Sequence, residues 1–218
     1  MRRFRLAVLV AALSVAPLLW AAKEFSMPKV RPAASYPAHD HHGGTENVTV
    51  ALDPYDTPEK SNIFLVHYRE LGLLPVMLII TNDSEQPIQL SDMKAQLVAA
   101  DKSKLQPASE EDMVRRISHP SASGARTPLP FPTKRVKGVD PKQLNEVLSA
   151  QFKARAVEPR STQAGFLFFD VSDVSNALAG AHFYLTGVRD ASGNDLMYFE
   201  VPLDKYVDEG NKPGTSAH

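Results

Sequence analysis

Two hydrophobic periods divide this chain. Short apolar runs and period-two alternation mark strands between residues 46 and 105 and again between 164 and 203, and a helical period lies between them. The strand segments are Asn47–Leu52, Ile63–Tyr68, Leu73–Thr81, Ile88–Leu90, Lys94–Ala100, Gly165–Val171, Ala181–Val188 and Leu196–Leu203. Leu73–Thr81 is almost continuously apolar, the pattern of a central strand covered on both faces, and Pro75 lies near its start, where a missing N–H is tolerated. In the last segment Met197, Phe199, Val201 and Leu203 fall on one face, and Leu196, Tyr198 and Glu200 on the other. The polar stretches Asp53–Asp56, Asn82–Pro87 and Asp190–Asp195 read as turns, the last as a hairpin.

The helical period has local end signals. Ser109 is an N-cap followed by Glu110, Glu111 and Asp112, with Arg115 and Arg116 in the last turn, so charge complements the dipole of a helix over 110–117. Val139, Asp140, Pro141, Gln143 and Leu144 form a capping box with a hydrophobic staple for a second helix. Its apolar stripe is Leu144, Val147, Leu148 and Phe152, which is expected to face the core. Residues 118–138 between the helices are rich in Pro, Ser and Gly and read as irregular.

These elements predict a mainly β fold, an antiparallel two-sheet sandwich over 46–203 carrying a helical and Pro-rich insert at 106–162. Two passages carry a family likeness. Val76–Asn82 followed by Pro87-Ile-Gln-Leu90, and Arg160–Asp170, resemble strands of exported bacterial immunoglobulin-like modules. The resemblance covers about 35 residues and implies an immunoglobulin-like sandwich and an adhesive or partner-binding role without chemistry of its own.

The termini set the address. Met1-Arg-Arg-Phe-Arg5 precedes an apolar run from Leu6 to Ala22, the order of an export signal. Residues 1–22 read either as a cleaved signal peptide or as an uncleaved anchor, placing the domain in the periplasm or membrane-anchored outside the cytoplasm. Residues 23–45, with three prolines, His39-Asp-His-His42 and Gly43-Gly44, read as a disordered tether, and 204–218 as a flexible tail. The chain has no cysteine, which excludes thiol chemistry and a disulfide scaffold.

Net charge is −1, but its distribution is uneven. Residues 113–160 hold ten basic side chains against three acidic ones, between acidic flanks. Within that segment Lys134, Arg135 and Lys137 are candidates for contact with an anionic envelope component. His39, Asp40, His41 and His42 are candidate ligands for Zn or Cu, since imidazole and carboxylate suit those ions. No nucleophile elbow, zinc-protease helix or phosphate loop occurs, and an exported chain lacking a basic aromatic platform is not expected to bind nucleic acid. The expectation is a non-enzymatic envelope protein that binds a protein or anionic partner, with no cofactor. The alternatives are a His-tract metal-binding or delivery protein and a hydrolase with a loop-borne site.

Overall fold

The structure is a computed structural model that describes residues 24–119 and 139–203. In chain order its strands are β1 (Ala38–His42), β2 (Val48–Pro54), β3 (Leu73–Asn82), β4 (Ile88–Gln89), β5 (Lys94–Val98), β6 (Lys104–Leu105), β7 (Ala156–Val157), β8 (Ser161–Asp170), β9 (His182–Thr186) and β10 (Phe199–Pro202). The helices are α1 (Pro58–Ser61), α2 (Glu110–Ser118) and α3 (Pro141–Ala150). The fold is mainly β, with three antiparallel sheets ordered β1-β2-β3-β8, β10-β9-β5-β6 and β4-β7. Among the described residues no helix is long and apolar enough to cross a membrane.

All ten residues of β3 are buried, as its unbroken apolarity predicts. Side chains alternate across a strand, so Leu74, Val76, Leu78 and Ile80 enter one core and Leu73, Met77 and Ile79 another. The second four-stranded sheet closes the first core through Leu97, Phe183, Leu185, Phe199 and Val201. This gives a sandwich-like pair of sheets. The second core is closed by α2, α3 and the 58–71 segment, with Phe64, Tyr68, Phe166 and Phe168 packed ring against ring. Burying each of these rings contributes roughly 2–3 kcal/mol relative to exposure.

Three sequence expectations change here. Residues 23–45 are not wholly a tether. Ala38–His42 is the edge strand of the first sheet, paired residue by residue with Val48–Leu52. Its polar sequence hides this, because an edge strand open to solvent needs no apolar run. Residues 63–68 do not form a strand. Phe64, Val66 and Tyr68 do turn inward, but the N–H groups of Leu65 and Val66 donate to the Glu146 carboxylate at 2.5 and 3.1 Å instead of to a neighbouring strand. A single helical turn, Tyr68–Leu71, follows and ends at Gly72 with φ +72°.

The third change concerns α3. Asp140 caps it by accepting from Lys142 N at 2.9 Å. Its buried face is Glu146, Val147 and Ala150, whereas Leu144 and Leu148 remain 37% and 38% exposed. A buried carboxylate needs donors, and those of Leu65 and Val66 fix the rotation of the helix. Burial and the Glu146 charge together push the neighbouring Tyr68 phenol far above its ordinary pKa. Phe152 lies past the helix end, where its N–H donates to Phe166 O at 3.0 Å.

α2 starts at the expected cap, with Asp112 N donating to Ser109 Oγ at 3.2 Å. Arg116, in the last turn of α2, is buried. Its side chain is 8% exposed and donates to Asp112 Oδ2 at 2.9 Å, Asp170 Oδ2 at 2.5 Å and Leu71 O at 3.0 Å. It ties α2 to the end of β8 and to the turn before β3. Burial opposes ionisation of Asp170, but the hydrogen bonds from Arg116 and Ser172 and the guanidinium charge outweigh it and hold the carboxyl below its usual range.

Candidate functional site at the seam of the two sheets

β1 and β10 are edge strands of different sheets, and they lie side by side where the sandwich closes. Alternation turns Ala38, Asp40 and His42 toward the second sheet. Asp40 Oδ2 accepts from the backbone N–H of Glu200 at 2.9 Å, so one inward carboxylate occupies an edge donor of β10. The His42 ring stacks on Phe199 with centroids 4.0 Å apart. His42 Nδ1 donates to Glu46 Oε2 at 2.8 Å, and its Nε2 lies 3.5 Å from Asp40 Oδ2.

The facing side is built by the β9–β10 hairpin. Antiparallel register sets Glu200 opposite Tyr184 and Pro202 opposite His182. His182 Nδ1 and Tyr184 Oη both donate to Glu200 Oε1, each at 2.8 Å. That hydrogen bond, then burial and the carboxylate's charge, raise the Tyr184 phenol pKa. Tyr198 stands 6.2 Å from the Tyr184 ring, and Tyr184 stands 6.4 Å from His182. Asp40, His42, His182, Met197, Tyr198, Glu200 and Pro202 line a cleft of about 430 Å³.

The alternation groups Met197 on one face with Phe199, Val201 and Leu203, and those three are buried. Met197 is 69% exposed, because pairing with β9 begins only at Phe199 and the alternation has no ladder to hold it before that point. Tyr198, beside it, is 51% exposed.

The strand geometry divides the expected His tract. Asp40 and His42 belong to the seam, whereas His39 and His41 point to the opposite face. There His39 Nδ1 donates to Tyr36 O at 2.6 Å, and His41 Nδ1 meets Thr49 Oγ1 at 2.9 Å. Among the described residues no three His, Asp or Glu side chains are grouped to hold a metal ion. Lys134, Arg135 and Lys137 lie outside the described residues. Sequence reasoning did not identify Glu46, His182, Tyr184, Met197, Tyr198 or Glu200 as site residues. The one available signal was the alternation of the last strand, which groups Tyr198 with Glu200 on one face.

Two other clefts are accounted for by the fold. One of about 290 Å³ beside Phe64, Tyr68 and Pro75 lies on the Glu146-pinned segment. Another, of about 320 Å³, adjoins the 190–195 turn. The Asp190 carboxylate there is engaged by Ser192 N, Asn194 N and Asn194 Nδ2, which hold it below its usual pKa.

No family model and no curated protein matches the sequence. Among solved structures, a conserved hypothetical protein from Bacillus anthracis aligns with 76% of this chain and 97% of its own, at 10% identity and a TM-score of 0.27, a likeness too slight to carry an argument about fold or function.

Proposed function

We propose that this chain is a non-enzymatic, exported module of the cell envelope, immunoglobulin-like in its sandwich, that docks a partner at the β1/β10 seam. One observation carries the reading. Among the described residues, Met197 and Tyr198 are the large hydrophobic side chains that are more than half exposed, and both rim the same cleft. Large apolar side chains held in solvent beside a cleft mark a contact surface rather than a packing need. Export rests on the basic start and the apolar run from Leu6 to Ala22.

The experiment places a photo-crosslinking residue at position 198, and for comparison at the exposed Leu144, in cells of the source organism. A discrete adduct is expected from 198 and not from 144, and Met197→Asp in the same chain should abolish it. Equal labelling from both sites, or none from either, would overturn the seam as the docking surface.

A further inference from the structure

We infer that the group received at this seam is the cationic side chain of a lysine or arginine from a protein partner. This rests on the docking reading above and adds its chemistry. Among the described residues the cleft is lined by two carboxylates, Asp40 and Glu200, and two imidazoles, His42 and His182, and by no lysine or arginine. A third carboxylate, Glu46, stands behind His42.

The two carboxylates are fixed and half used. Asp40 spends Oδ2 on the Glu200 N–H, and Glu200 spends Oε1 on His182 and Tyr184. Asp40 Oδ1 and Glu200 Oε2 carry no hydrogen bond among the described residues. Each is a charged acceptor whose orientation is already set, so a donor arriving there loses little to ordering.

The rest of the lining suits the same visitor. Tyr198 offers a half-exposed ring face to a cation, and Met197 offers an adaptable apolar surface to the methylene stem behind it. An anion would meet the free oxygens Asp40 Oδ1 and Glu200 Oε2, while the Nδ1 donors of His42 and His182 are already engaged by Glu46 and Glu200, and a purely apolar group would leave those oxygens desolvated. An exposed ion pair is weak alone, so the charge selects the partner while the apolar rim supplies contact area.

The test uses the full chain, ¹⁵N-labelled, titrated with three synthetic peptides: acetyl-(Ala-Lys)₅-amide, acetyl-(Ala-Gln)₅-amide and acetyl-(Ala-Glu)₅-amide. The lysine peptide is expected to shift the amides of Asp40, His42, Tyr198 and Glu200. The glutamine peptide should bind about tenfold more weakly or not at all, and the glutamate peptide not at all. Glu200→Gln keeps the shape of the side chain and should weaken lysine-peptide binding by a similar factor. Asp40→Asn serves as a second variant if Glu200→Gln loses its native spectrum. Equal binding of the lysine and glutamine peptides, or tighter binding of the glutamate peptide, would overturn the inference. If no peptide shifts the seam while position 198 still cross-links in cells, the cationic inference falls and the docking reading stands. If position 198 does not cross-link, the docking reading falls with it.

Discussion

The first sheet has two edges, and the chain treats them differently. The β8 edge is sealed by the chain's own backbone. Ala108 N donates to Phe168 O at 2.7 Å and Phe152 N to Phe166 O at 3.0 Å. The segment after α3 sits so close that a Cβ on Gly165 would lie 2.4 Å from Phe152 Cα. The β1 edge is finished by side chains instead: Asp40 and His42 toward the second sheet, His39 and His41 away from it. A backbone seal leaves nothing to recognise. A side-chain seam leaves charge, ring faces and free acceptors in reach of solvent, and that is where the cleft lies.

The contrast can be broken from the sealed side first. Glu146→Ala removes the acceptor of two backbone donors under the helical layer and is expected to cost about 3–5 kcal/mol. Chemical denaturation measures it, and a loss under 1 kcal/mol would mean that the 64–66 segment finds other partners. Gly165→Ala sets a methyl against backbone that cannot step aside, and a loss of roughly 2–3 kcal/mol is expected. Retained stability would show that the seal is loose.

The Arg116–Asp170 pair should contribute about 1 kcal/mol after solvent screening, read as the difference between wild type and Asp170→Asn at pH 7. The folded Asp170 pKa is lowered, so this contribution is complete above the unfolded value near 4 and fades as pH falls below it. A difference that persists unchanged at pH 2.5 would assign the effect to shape instead of charge. Asp40→Asn at the seam keeps an acceptor for Glu200 N–H and should change stability by no more than about 0.5 kcal/mol. A larger loss would make the seam structural, and the two edges alike in purpose.

What could be read from the residues was what depends on near neighbours. The burial of β3 on both faces follows from its composition. The caps at Ser109 and Asp140 act within three residues of themselves, and the 190–195 turn is closed by its own Asp190. The elements that escaped depend on distant partners. Residues 63–66 have strand-like alternation, but a carboxylate 81 residues away takes the N–H of Leu65. α3 has a plausible stripe at Leu144 and Leu148, but the same carboxylate sets its rotation.

The sequence by itself determined the mainly β class and the two helices, because periodicity, capping and composition are local properties of the chain. Only the tertiary structure decided that Ala38–His42 is a strand, that the His tract is split between two faces, and that Asp40 meets Glu200 across 160 residues. The reason is physical. An edge strand's pairing and a seam's hydrogen bonds come from the register of whole sheets, and no stretch of sequence carries that register alone.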